Sequence, residues 1–504
     1  MISVNGRATR SPQRLAADPA RVVARLFVPG QEGFEHQDSR AGLVLARILA
    51  LDEQTVLSSL DDVIARFDGR HRDLVGTFRR NARELADRLD PAVEISEARM
   101  MLLGATFTNE YAIEGAALCN PSMVAHPDQT GIPAGGLRFV MSVRGIGEGH
   151  RSTIGFRTGV VDAEGQPRVD DPVTLATVGT TVSTLLEAEV FRVELTRLDD
   201  RGEAAGYVLD ALGERFTRAD LEERLAKLRL HRRTRGHAQE TIGAITAIAE
   251  RSYGVEFDDA VALPERVLWP AMQAEAAGME DARFVRFTDD DGSVRYYATY
   301  TAYSGNRISQ QLLETTDFRS FTSMPMVGQG AENKGLALFP RRINGRFAAL
   351  SRADRESNAL VYSDRPFVWT GARECQRSAE VWEVLQLGNC GSPIETDAGW
   401  LVLTHGVGPM RTYRIGAILL DLEHPERVIG RLRSPLLSPA DDERDGYVPN
   451  VVYSCGALVH ADTLVLPYGI ADSAIGFATV PLPGLLAALT DQNSEYHRAD
   501  MVRR

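Results

Sequence analysis

Acidic and basic side chains that could move a proton lie next to each other in the stretch GMEDARFVRF, residues 278–287. Glu280 and Asp281 directly precede an alternating, strand-like run, and Arg283 follows two positions after Asp281. Because successive side chains of a strand point to opposite faces, one carboxylate is expected to share a face with Arg283, and the spacing selects Asp281. An adjacent arginine normally lowers the pKa of a carboxylate. Both a structural ion pair and a catalytic acid are compatible with this pattern.

A glycine-rich cationic stretch, RGIGEGHRSTIGFRTG at 144–159, invites comparison with a nucleotide-binding loop. A strand-like run precedes it, but the residues that follow also alternate like a strand, and no GKS or GKT appears. The helix N-terminus that would bind a phosphate is therefore not predicted. Two readings stay open: a plain hairpin, or a cradle in which Arg144, His150, Arg151 and Arg157 face a polar ligand.

Two further stretches combine charged, aromatic and apolar side chains. Lys334, Arg352 and Glu356 lie in NKGLALFPRRINGRFAALSRADRESN, residues 333–358, and Glu395 and His405 lie in GNCGSPIETDAGWLVLTHGVGPMRTY, residues 388–413. Aromatic and carboxylate groups at strand ends suit carbohydrates, because sugars present both hydroxyls and apolar ring faces. Each residue taken singly is equally compatible with a structural role.

Bulk composition excludes several classes of function. The 504 residues carry a net charge of −13, which argues against nucleic acid or an anionic membrane as the main partner. The four cysteines are scattered, so neither a disulfide framework nor a metal site is predicted. The N-terminus has no apolar segment typical of a signal peptide, and no run of apolar residues is long enough to span a membrane. We expect a cytoplasmic protein.

Sequence periodicity predicts the elements that must position these groups. Residues 1–100 show helical spacing and are expected to form a helical domain or arm, which could also mediate homo-oligomerisation. Residues 101–490 contain many short strands separated by turns, which indicates a sandwich, barrel or propeller, and their length favours a propeller. A helical insertion is predicted at about 217–251, capped by Thr217 or Asp220, and residues 491–504 form a tail.

Eight motifs occur in one order between about residues 100 and 490. They are NPS (120–122), VMSVRG ending near Arg144, EDAR (280–283), TYTAYSG (299–305), NKGLALFPRRINGR (333–346), GSPIETDAGWLVLTHGV (391–407), YVPNVVYSCG (447–456) and PYGIAD (467–472). Together they resemble glycoside hydrolase family 130, the β-mannoside phosphorylases and β-mannosidases, and in particular its longer bacterial members. The resemblance implies an all-β fold, a five-bladed β-propeller with a central active site, and inversion at a β-mannosidic bond.

The resemblance also implies residue roles. Asp281 matches the general acid of the family, which is thought to deliver its proton through a sugar hydroxyl. Matching substrate-binding positions are Asn120, Ser122, Arg144, His150, Arg283, Tyr303, Arg307, Lys334, Arg352, His405 and Asp472. No cofactor is implied, and inorganic phosphate is a co-substrate if the chain is a phosphorylase.

Hydrolysis and phosphorolysis make different demands on such a site. An inverting hydrolase needs a second carboxylate as base, whereas a phosphorylase needs cationic donors for phosphate. Arg144, Arg307 and Lys334 fit a phosphate pocket, but Ser351 stands where phosphorylases commonly have histidine, and Glu356 and Glu395 are candidate bases. The sequence therefore favours a β-mannosidase that removes mannose from the non-reducing end of β-1,2-mannooligosaccharides. A phosphorylase that releases mannose 1-phosphate, or a non-catalytic mannoside-binding propeller, are the alternatives.

Overall fold

The structure is a computed structural model that describes residues 8–30, 39–89, 94–198, 202–230 and 235–501. Parts of each predicted region lie outside the described residues. They are 1–7, 31–38 and 90–93 of the N-terminal arm, 199–201 of the predicted β region, 231–234 of the helical insertion, and 502–504 of the tail.

Short strands make up most of the described chain, and helices occur in a few blocks. The helices are α1 Arg40–Leu49, α2 Glu53–Phe67, α3 Leu74–Leu85, α4 Glu97–Thr106, α5 Ala188–Arg197, α6 Glu203–Leu209, α7 Arg218–Leu230, α8 Arg235–Ala249 and α9 Leu482–Met501. The strands are β1 Thr9–Ala16, β2 Val22–Leu26, β3 Thr108–Ala112, β4 Ala117–Ala125, β5 Leu137–Ile146, β6 Ser152–Val161, β7 Pro167–Val169, β8 Thr177–Val178, β9 Thr180–Val182, β10 Leu186–Glu187, β11 Arg215–Phe216, β12 Tyr253–Glu256, β13 Arg266–Leu268, β14 Gly278–Thr288, β15 Val294–Tyr303, β16 Ile308–Thr315, β17 Ser320–Pro325, β18 Ala337–Leu338, β19 Phe347–Ser351, β20 Asn358–Ser363, β21 Arg373–Gln376, β22 Gln386–Asn389, β23 Ile394–Thr396, β24 Gly399–Val407, β25 Tyr413–Leu420, β26 Val428–Arg431, β27 Val452–Tyr453, β28 Leu458–His460, β29 Thr463–Ile470 and β30 Ala474–Pro481.

Most strand pairs are antiparallel, and β8–β13 and β6–β14 pair in parallel. One sheet has twelve strands and joins the β4–β7 and β14–β17 units, two sheets have five strands, one has four, and two have two strands each. The apolar side chains of successive units pack in shared clusters, with aromatic rings such as Phe156, Phe284 and Phe318 fully or almost fully buried. The chain is therefore mostly β with helices, in agreement with the predicted class.

The innermost strands of these units contact one another through short hydrogen bonds. The Phe284 amide of β14 donates to Ser122 Oγ of β4 at 3.0 Å, and Asn389 Nδ2 of β22 donates to the Gly335 carbonyl at 2.7 Å. The Cys455 amide, just after β27, donates to the Pro121 carbonyl at 2.8 Å. Strand β4, in the first of these units, thus contacts the segment after β27, in the last unit.

Glycine is required where two of these inner segments approach most closely. Gly391 has φ 118° and directly follows Cys390 at the end of the β22 segment. A Cβ at this position would lie 2.3 Å from the Cys455 carbonyl oxygen, closer than atoms can approach without displacement. Only a residue without a side chain fits this contact and this backbone conformation.

The first hundred residues contain helices α1–α4, but they also contain two strands that the sequence pattern did not predict. Strand β1 pairs antiparallel with β30, so the two ends of the chain share one sheet. Strand β2 pairs with β3 across its whole length. The polar sequence of β1, TRSPQRLA, hides this strand because it lies at the edge of its sheet and buries few side chains.

The predicted insertion coincides with α7 and α8, and the helical block begins earlier, with α5 at Ala188. Thr217 and Asp220 both cap the start of α7: the Asp220 carboxylate accepts from the Thr217 amide at 2.9 Å, and Thr217 Oγ1 accepts from the Asp220 amide at 3.2 Å. The block packs its leucines and isoleucines against the β14–β17 unit. The earlier α5 and α6 were missed because their apolar residues do not form a clear stripe.

A buried charge cluster fastens the N-terminal segment to the sheets. Both oxygens of the Glu114 carboxylate accept hydrogen bonds from Arg157, at 2.7 and 2.8 Å, and Oε1 lies 3.3 Å from Arg21 Nε. Arg21 also donates to the Val173 and Pro264 carbonyls. Burial and the charge of Arg157 lower the pKa of Arg21 to about 10, and Glu114 opposes that shift.

We predict that Glu114→Gln lowers the free energy of unfolding by about 3–5 kcal/mol, because it leaves two buried guanidinium groups without their counter-ion. Urea denaturation monitored by circular dichroism measures this loss. The control is Glu97→Gln, which removes an exposed ion pair with Arg79 at 3.4 Å and is expected to change stability by less than about 0.5 kcal/mol. Equal effects of the two substitutions would contradict the role assigned to the buried cluster.

Candidate active site

The two adjacent carboxylates predicted to point apart instead approach the same guanidinium group. Arg144 Nη2 donates to Glu280 Oε1 at 2.6 Å, and Arg144 Nη1 lies 3.6 Å from Asp281 Oδ1. The register of β14 against β15 shifts between Glu280 and Arg283, and Asp281 has φ 56°. This bulge breaks the strict alternation of the strand, so the expectation that only one carboxylate faces the shared site is wrong.

Arg283 contacts the backbone of Asp281 instead of its carboxylate. Its Nη1 donates to the Asp281 carbonyl at 3.0 Å, and its Nη2 donates to Tyr453 Oη at 2.7 Å. Arg283 is buried, and the negative partners around it keep its pKa above the ordinary value in spite of burial. The sequence suggested an ion pair between Asp281 and Arg283. In the structure, Arg283 instead stabilises the bulged backbone through its hydrogen bond to the Asp281 carbonyl.

The cationic neighbours of Asp281 control its protonation. Burial acts to raise the pKa of Asp281, but the charges of Lys334 and Arg144 outweigh it and hold the pKa below its ordinary value. The adjacent Glu280 has a raised pKa, because burial and the charge of Asp281 exceed the effect of Arg144. Asp281 Oδ1 is buried and has no hydrogen-bond partner among the described residues. This oxygen is therefore available to a ligand.

Asp472 is a third carboxylate in the same electrostatic cluster. It follows β29 in the turn to β30, with φ 48°. Burial raises its pKa to about 6, against the influence of Arg144, and the charge of Asp281 adds to the rise. The structure thus brings Asp472 together with Asp281, Glu280, Arg144 and Lys334, and Glu280 is the member that sequence reasoning set aside.

Arg352 and His405 lie side by side on the other flank of Arg283. The His405 imidazole is buried, its Nδ1 lies 3.1 Å from the Asn389 carbonyl oxygen, and its ring contacts that of Tyr453. Burial and the charge of Arg352 lower the pKa of His405 well below its ordinary value, so the ring is neutral. Arg352 is also buried, which lowers its pKa, and its Nε has no hydrogen-bond partner among the described residues.

Asn120 and Ser122 occupy a second bulge, in β4. The register against β5 shifts between Cys119 and Ser122, and Asn120 has φ 49°. Its side-chain Oδ1 is buried and makes no hydrogen bond within the described part of the chain. Ser122 Oγ instead accepts from the Phe284 amide, so this hydroxyl links two strands. Ser122 therefore has a structural role, whereas the Asn120 acceptor is left without a partner among the described residues.

Three other predicted residues lie in exposed turns at the ends of hairpins. His150, with φ 57°, lies between β5 and β6, and its Nδ1 is 2.9 Å from Tyr447 Oη. Tyr303 ends β15 and donates its hydroxyl to the Gly305 carbonyl at 2.6 Å, and Arg307 is exposed in the same turn. Among the described residues, these three side chains do not contact Asp281 or Arg144, so they lie apart from the carboxylate cluster.

Neither candidate base belongs to the cluster around Asp281. Glu356 is exposed in a turn that the Asp354 carboxylate organises by accepting from the Glu356 and Ser357 amides, each at 3.0 Å. Glu395 is 43% exposed, and both its oxygens accept hydrogen bonds from Arg341. Neither carboxylate is among the principal charges that shift the pKa of Asp281 or Asp472.

Three of the predicted site residues share a left-handed backbone conformation without glycine: Asn120, Asp281 and Asp472 all have φ between 48° and 56°. Arg411, which sequence reasoning missed and whose charge influences Asp472, has φ 52°. Such conformations cost free energy and concentrate at functional sites. Asparagine and aspartate tolerate them best, so short Asn and Asp motifs at strand ends carry a partial sequence signal.

Comparisons with known proteins all point to one family. The glycoside hydrolase family 130 model, described as beta-1,4-mannooligosaccharide phosphorylase, matches residues 228–491. A 1,2-beta-oligomannan phosphorylase from a Thermoanaerobacter species is 34% identical over 242 residues, which are 47% of this chain and 79% of that protein. A beta-1,2-mannobiose phosphorylase from Listeria innocua is 30% identical over 234 residues, 44% of this chain and 63% of that protein.

The solved structure of the Listeria innocua beta-1,2-mannobiose phosphorylase, in complex with beta-1,2-mannobiose, aligns with 75% of this chain and 93% of that one. The TM-score is 0.46 at 21% sequence identity. The chain belongs to glycoside hydrolase family 130, as its motifs predicted, and it is an enzyme of the glycoside hydrolase or phosphorylase type. No helix among the described residues has the length and hydropathy needed to cross a bilayer.

We predict that Asp472→Asn stabilises the protein near pH 8 by up to about 3 kcal/mol. A carboxyl whose pKa is raised on folding, here to about 6, costs stability above that pH, where it is charged, and the cost disappears as the pH falls below the unfolded value. The difference in unfolding free energy between variant and wild type is therefore expected to shrink between pH 8 and pH 4.

Differential scanning calorimetry across this pH range measures the effect. Asn tolerates the left-handed conformation at position 472, so the substitution leaves the turn intact. The matched control is Asp462→Asn, an exposed position before β29, which is expected to change stability by less than about 0.5 kcal/mol at either pH. A pH-independent effect of Asp472→Asn would contradict the buried, raised-pKa carboxyl.

Proposed function

We propose that the protein is an inverting β-mannoside phosphorylase that transfers a mannosyl group from a β-1,2-linked mannoside to inorganic phosphate. The observation that carries this proposal is the surplus of positive charge around a buried acid. Three cations, Lys334, Arg144 and Arg283, act on the Asp281 carboxylate. A fourth, Arg352, lies near Arg283 beside His405. Burial and the charge of Asp281 raise the pKa values of Glu280 and Asp472, and in their neutral form these two carboxyls leave the positive charge of Lys334 and Arg144 available to an anion.

The placement of the two candidate bases also supports phosphorolysis. A hydrolase needs a carboxylate that can activate water on the face of the sugar opposite the acid. Glu356 is exposed in its turn and Glu395 is engaged by Arg341, so neither is prepared for that role. The hydrolytic reading favoured by the sequence thus loses its main support, and both curated relatives described above are named as phosphorylases.

Ser351, which stands where phosphorylases commonly have histidine, does not change this preference. Its hydroxyl donates to the Gly330 carbonyl at 2.6 Å and accepts from the Ala353 amide at 3.2 Å, so it is committed to the local turn. The anion-binding donors we assign are instead Lys334, Arg144 and Arg352. Arg352 Nε is a buried donor that no described residue satisfies, as expected for a group that awaits a ligand.

In the proposed reaction, Asp281 supplies the proton that the departing sugar oxygen needs, directly or through a sugar hydroxyl. The bond between the anomeric carbon and that oxygen breaks while a phosphate oxygen attacks from the opposite face, which yields mannose 1-phosphate of inverted, α configuration. Asn120, whose Oδ1 has no partner among the described residues, and Asp472, which interacts electrostatically with Arg144 and Asp281, are proposed to bind mannose hydroxyls. Glu280 holds Arg144 in place at 2.6 Å.

Phosphate binding also prepares the acid. In the free protein, Lys334 and Arg144 keep the pKa of Asp281 low, which favours the charged carboxylate. A phosphate dianion near these two cations offsets their field, while burial continues to favour the neutral form. The pKa of Asp281 therefore rises when phosphate is bound, and the acid is protonated when both substrates are present.

We further propose that the sheets are the blades of a five-bladed β-propeller covering about residues 101–490. Five hairpins, β5–β6, β15–β16, β19–β20, β24–β25 and β29–β30, are the centres of successive antiparallel units. Contacts between neighbouring inner strands, and from the last back to the first, support this arrangement. Strand β1 then completes the fifth blade from the N-terminal region.

The direct test is product analysis with β-1,2-mannobiose in the presence and absence of inorganic phosphate. We expect mannose 1-phosphate to form only with phosphate, and Asp281→Asn to lower its rate of formation by about 10²- to 10⁴-fold, because the variant cannot donate a proton. Retained thermal unfolding of the variant controls for misfolding. Free mannose released at the same rate with and without phosphate would contradict the proposal and establish a hydrolase.

A second prediction uses the two lysines of the sequence as a matched pair. Lys334→Met is expected to raise the KM for phosphate by about 10- to 100-fold, because it removes a charge-assisted contact to the anion. Lys227→Met removes the same charge from helix α7, where Lys227 pairs with Glu223, and is expected to change this KM by less than about twofold. Steady-state kinetics with varied phosphate distinguish the two. An unchanged phosphate KM in Lys334→Met would exclude Lys334 from the phosphate site.

A further inference from the structure

Two arginines from distant parts of the chain lie over one tryptophan, away from the carboxylate cluster. The guanidinium carbon of Arg25, on β2, is 5.7 Å from the centroid of the Trp269 ring, and that of Arg151 is 5.2 Å from it. Arg151 also lies 5.8 Å from the ring of Tyr111, which contacts Trp269 at a centroid distance of 5.6 Å. The contacts define an arginine–aromatic cluster of Arg25, Arg151, Tyr111 and Trp269.

The cluster concentrates positive charge without an acidic partner. Within the described part of the chain, the side chains of Arg25 and Arg151 form neither an ion pair nor a conventional hydrogen bond. Burial lowers the pKa of Arg25, and the positive charges of Arg151 and Arg80 lower it further. No carboxylate is among the groups that oppose this shift. Like charges gathered in a partly buried place are stabilised when an anion binds between them.

The chemistry of the cluster favours an anion over a neutral sugar. A neutral sugar would stack on the face of an aromatic ring, but two guanidinium groups already lie over Trp269. Each guanidinium still has its planar set of N–H donors free for a ligand. Such donors match the oxygen spacing of a phosphate group and bind it bidentately.

A cleft of about 720 Å³ opens beside the cluster, between the N-terminal helices and the sheets. Arg25 and Arg80 line it, together with the hydroxyl and amide side chains of Thr77, Asn81 and Thr180. Four acidic side chains also line the cleft: Asp73, which pairs with Arg80 at 3.1 Å, Glu84, Glu256 and Asp258. The acids disfavour an anionic group in the cleft itself, so we expect the anion at Arg25 and Arg151, which lie over Trp269, and an uncharged, hydroxylated group in the cleft.

We propose that the arginine–aromatic cluster and the adjoining cleft form a second binding site, which takes a phosphate monoester of a sugar or a similarly hydroxylated compound. The phosphate binds to Arg25 and Arg151, and the hydroxylated part enters the cleft. The site is separate from the carboxylate cluster: Arg151 follows His150 in one turn, but His150 contacts Tyr447, whereas Arg151 contacts Tyr111 and Trp269. The inference does not depend on the proposed phosphorolysis.

Isothermal titration calorimetry with mannose 1-phosphate, inorganic phosphate and mannose tests the proposal. We expect wild type to bind two equivalents of mannose 1-phosphate, the double variant Arg25→Gln/Arg151→Gln to bind one, and Lys334→Met to lose or weaken the other. The double variant is expected to weaken binding at the second site by at least about tenfold per arginine. The control, Arg66→Gln, removes an exposed arginine of α2 that pairs with Asp62 and is expected to bind as wild type does.

Tryptophan fluorescence reports on the second site directly, because Trp369, Trp382 and Trp400 are buried and Trp269 is only partly so. We expect mannose 1-phosphate to change the emission of wild type and Lys334→Met but not that of Trp269→Phe. Thr180→Val, which keeps a branched side chain, is expected to weaken binding of the ester about tenfold and of inorganic phosphate hardly at all.

Two results would overturn the inference. One is an unchanged stoichiometry and affinity in Arg25→Gln/Arg151→Gln when its unfolding transition matches that of wild type. The other is binding of mannose as tight as that of its phosphate ester, which would mean that the arginines do not recognise an anion. If Lys334→Met loses no site while the double variant does, the second site stands and the proposed phosphate pocket fails, so the two proposals are tested separately.

Discussion

The guanidinium group shared by Glu280 and Asp281 is the interaction on which the rest of the site depends. Arg144 lies 2.6 Å from one carboxylate and 3.6 Å from the other, so it holds together two adjacent acidic groups that would otherwise repel each other. Arg283 fixes the bulge that makes this sharing possible, through the Asp281 carbonyl and Tyr453. An acid placed in this way is sensitive to any new charge nearby, and a bound anion provides such a charge.

The scaffold stabilises this arrangement at a distance. Residues in left-handed conformations, such as Asn120, Asp281 and Asp472, are unfavourable locally and persist only when the surrounding structure determines them. The contacts between inner strands and the pairing of β1 with β30 supply that constraint. The buried cluster of Arg21, Glu114 and Arg157 extends it to the N-terminal segment. The free-energy cost of these backbone conformations is therefore offset by the contacts of the surrounding sheets.

The N-terminal region takes part in more than stability. Strands β2 and β3 place Arg25 and Tyr111 beside Trp269 and the turn that carries His150 and Arg151. The stretch RGIGEGHRSTIGFRTG thus divides its cations among different tasks. Arg144 serves the carboxylate cluster, Arg157 the buried salt bridge, and Arg151 the arginine–aromatic cluster. A single glycine-rich hairpin links the three.

The sequence by itself determined the family, the mainly β class and the cap of α7, because these depend on motifs and on local periodicity. It placed the Glu280 side chain on the opposite face of the strand from Asp281. It also counted Glu356 and Glu395 as candidate bases, although neither belongs to the carboxylate cluster. Only the tertiary structure decided these points. A one-residue bulge reverses the face of every preceding side chain, and the partner of an exposed carboxylate, such as Arg341 for Glu395, is set by contacts between residues far apart in the chain.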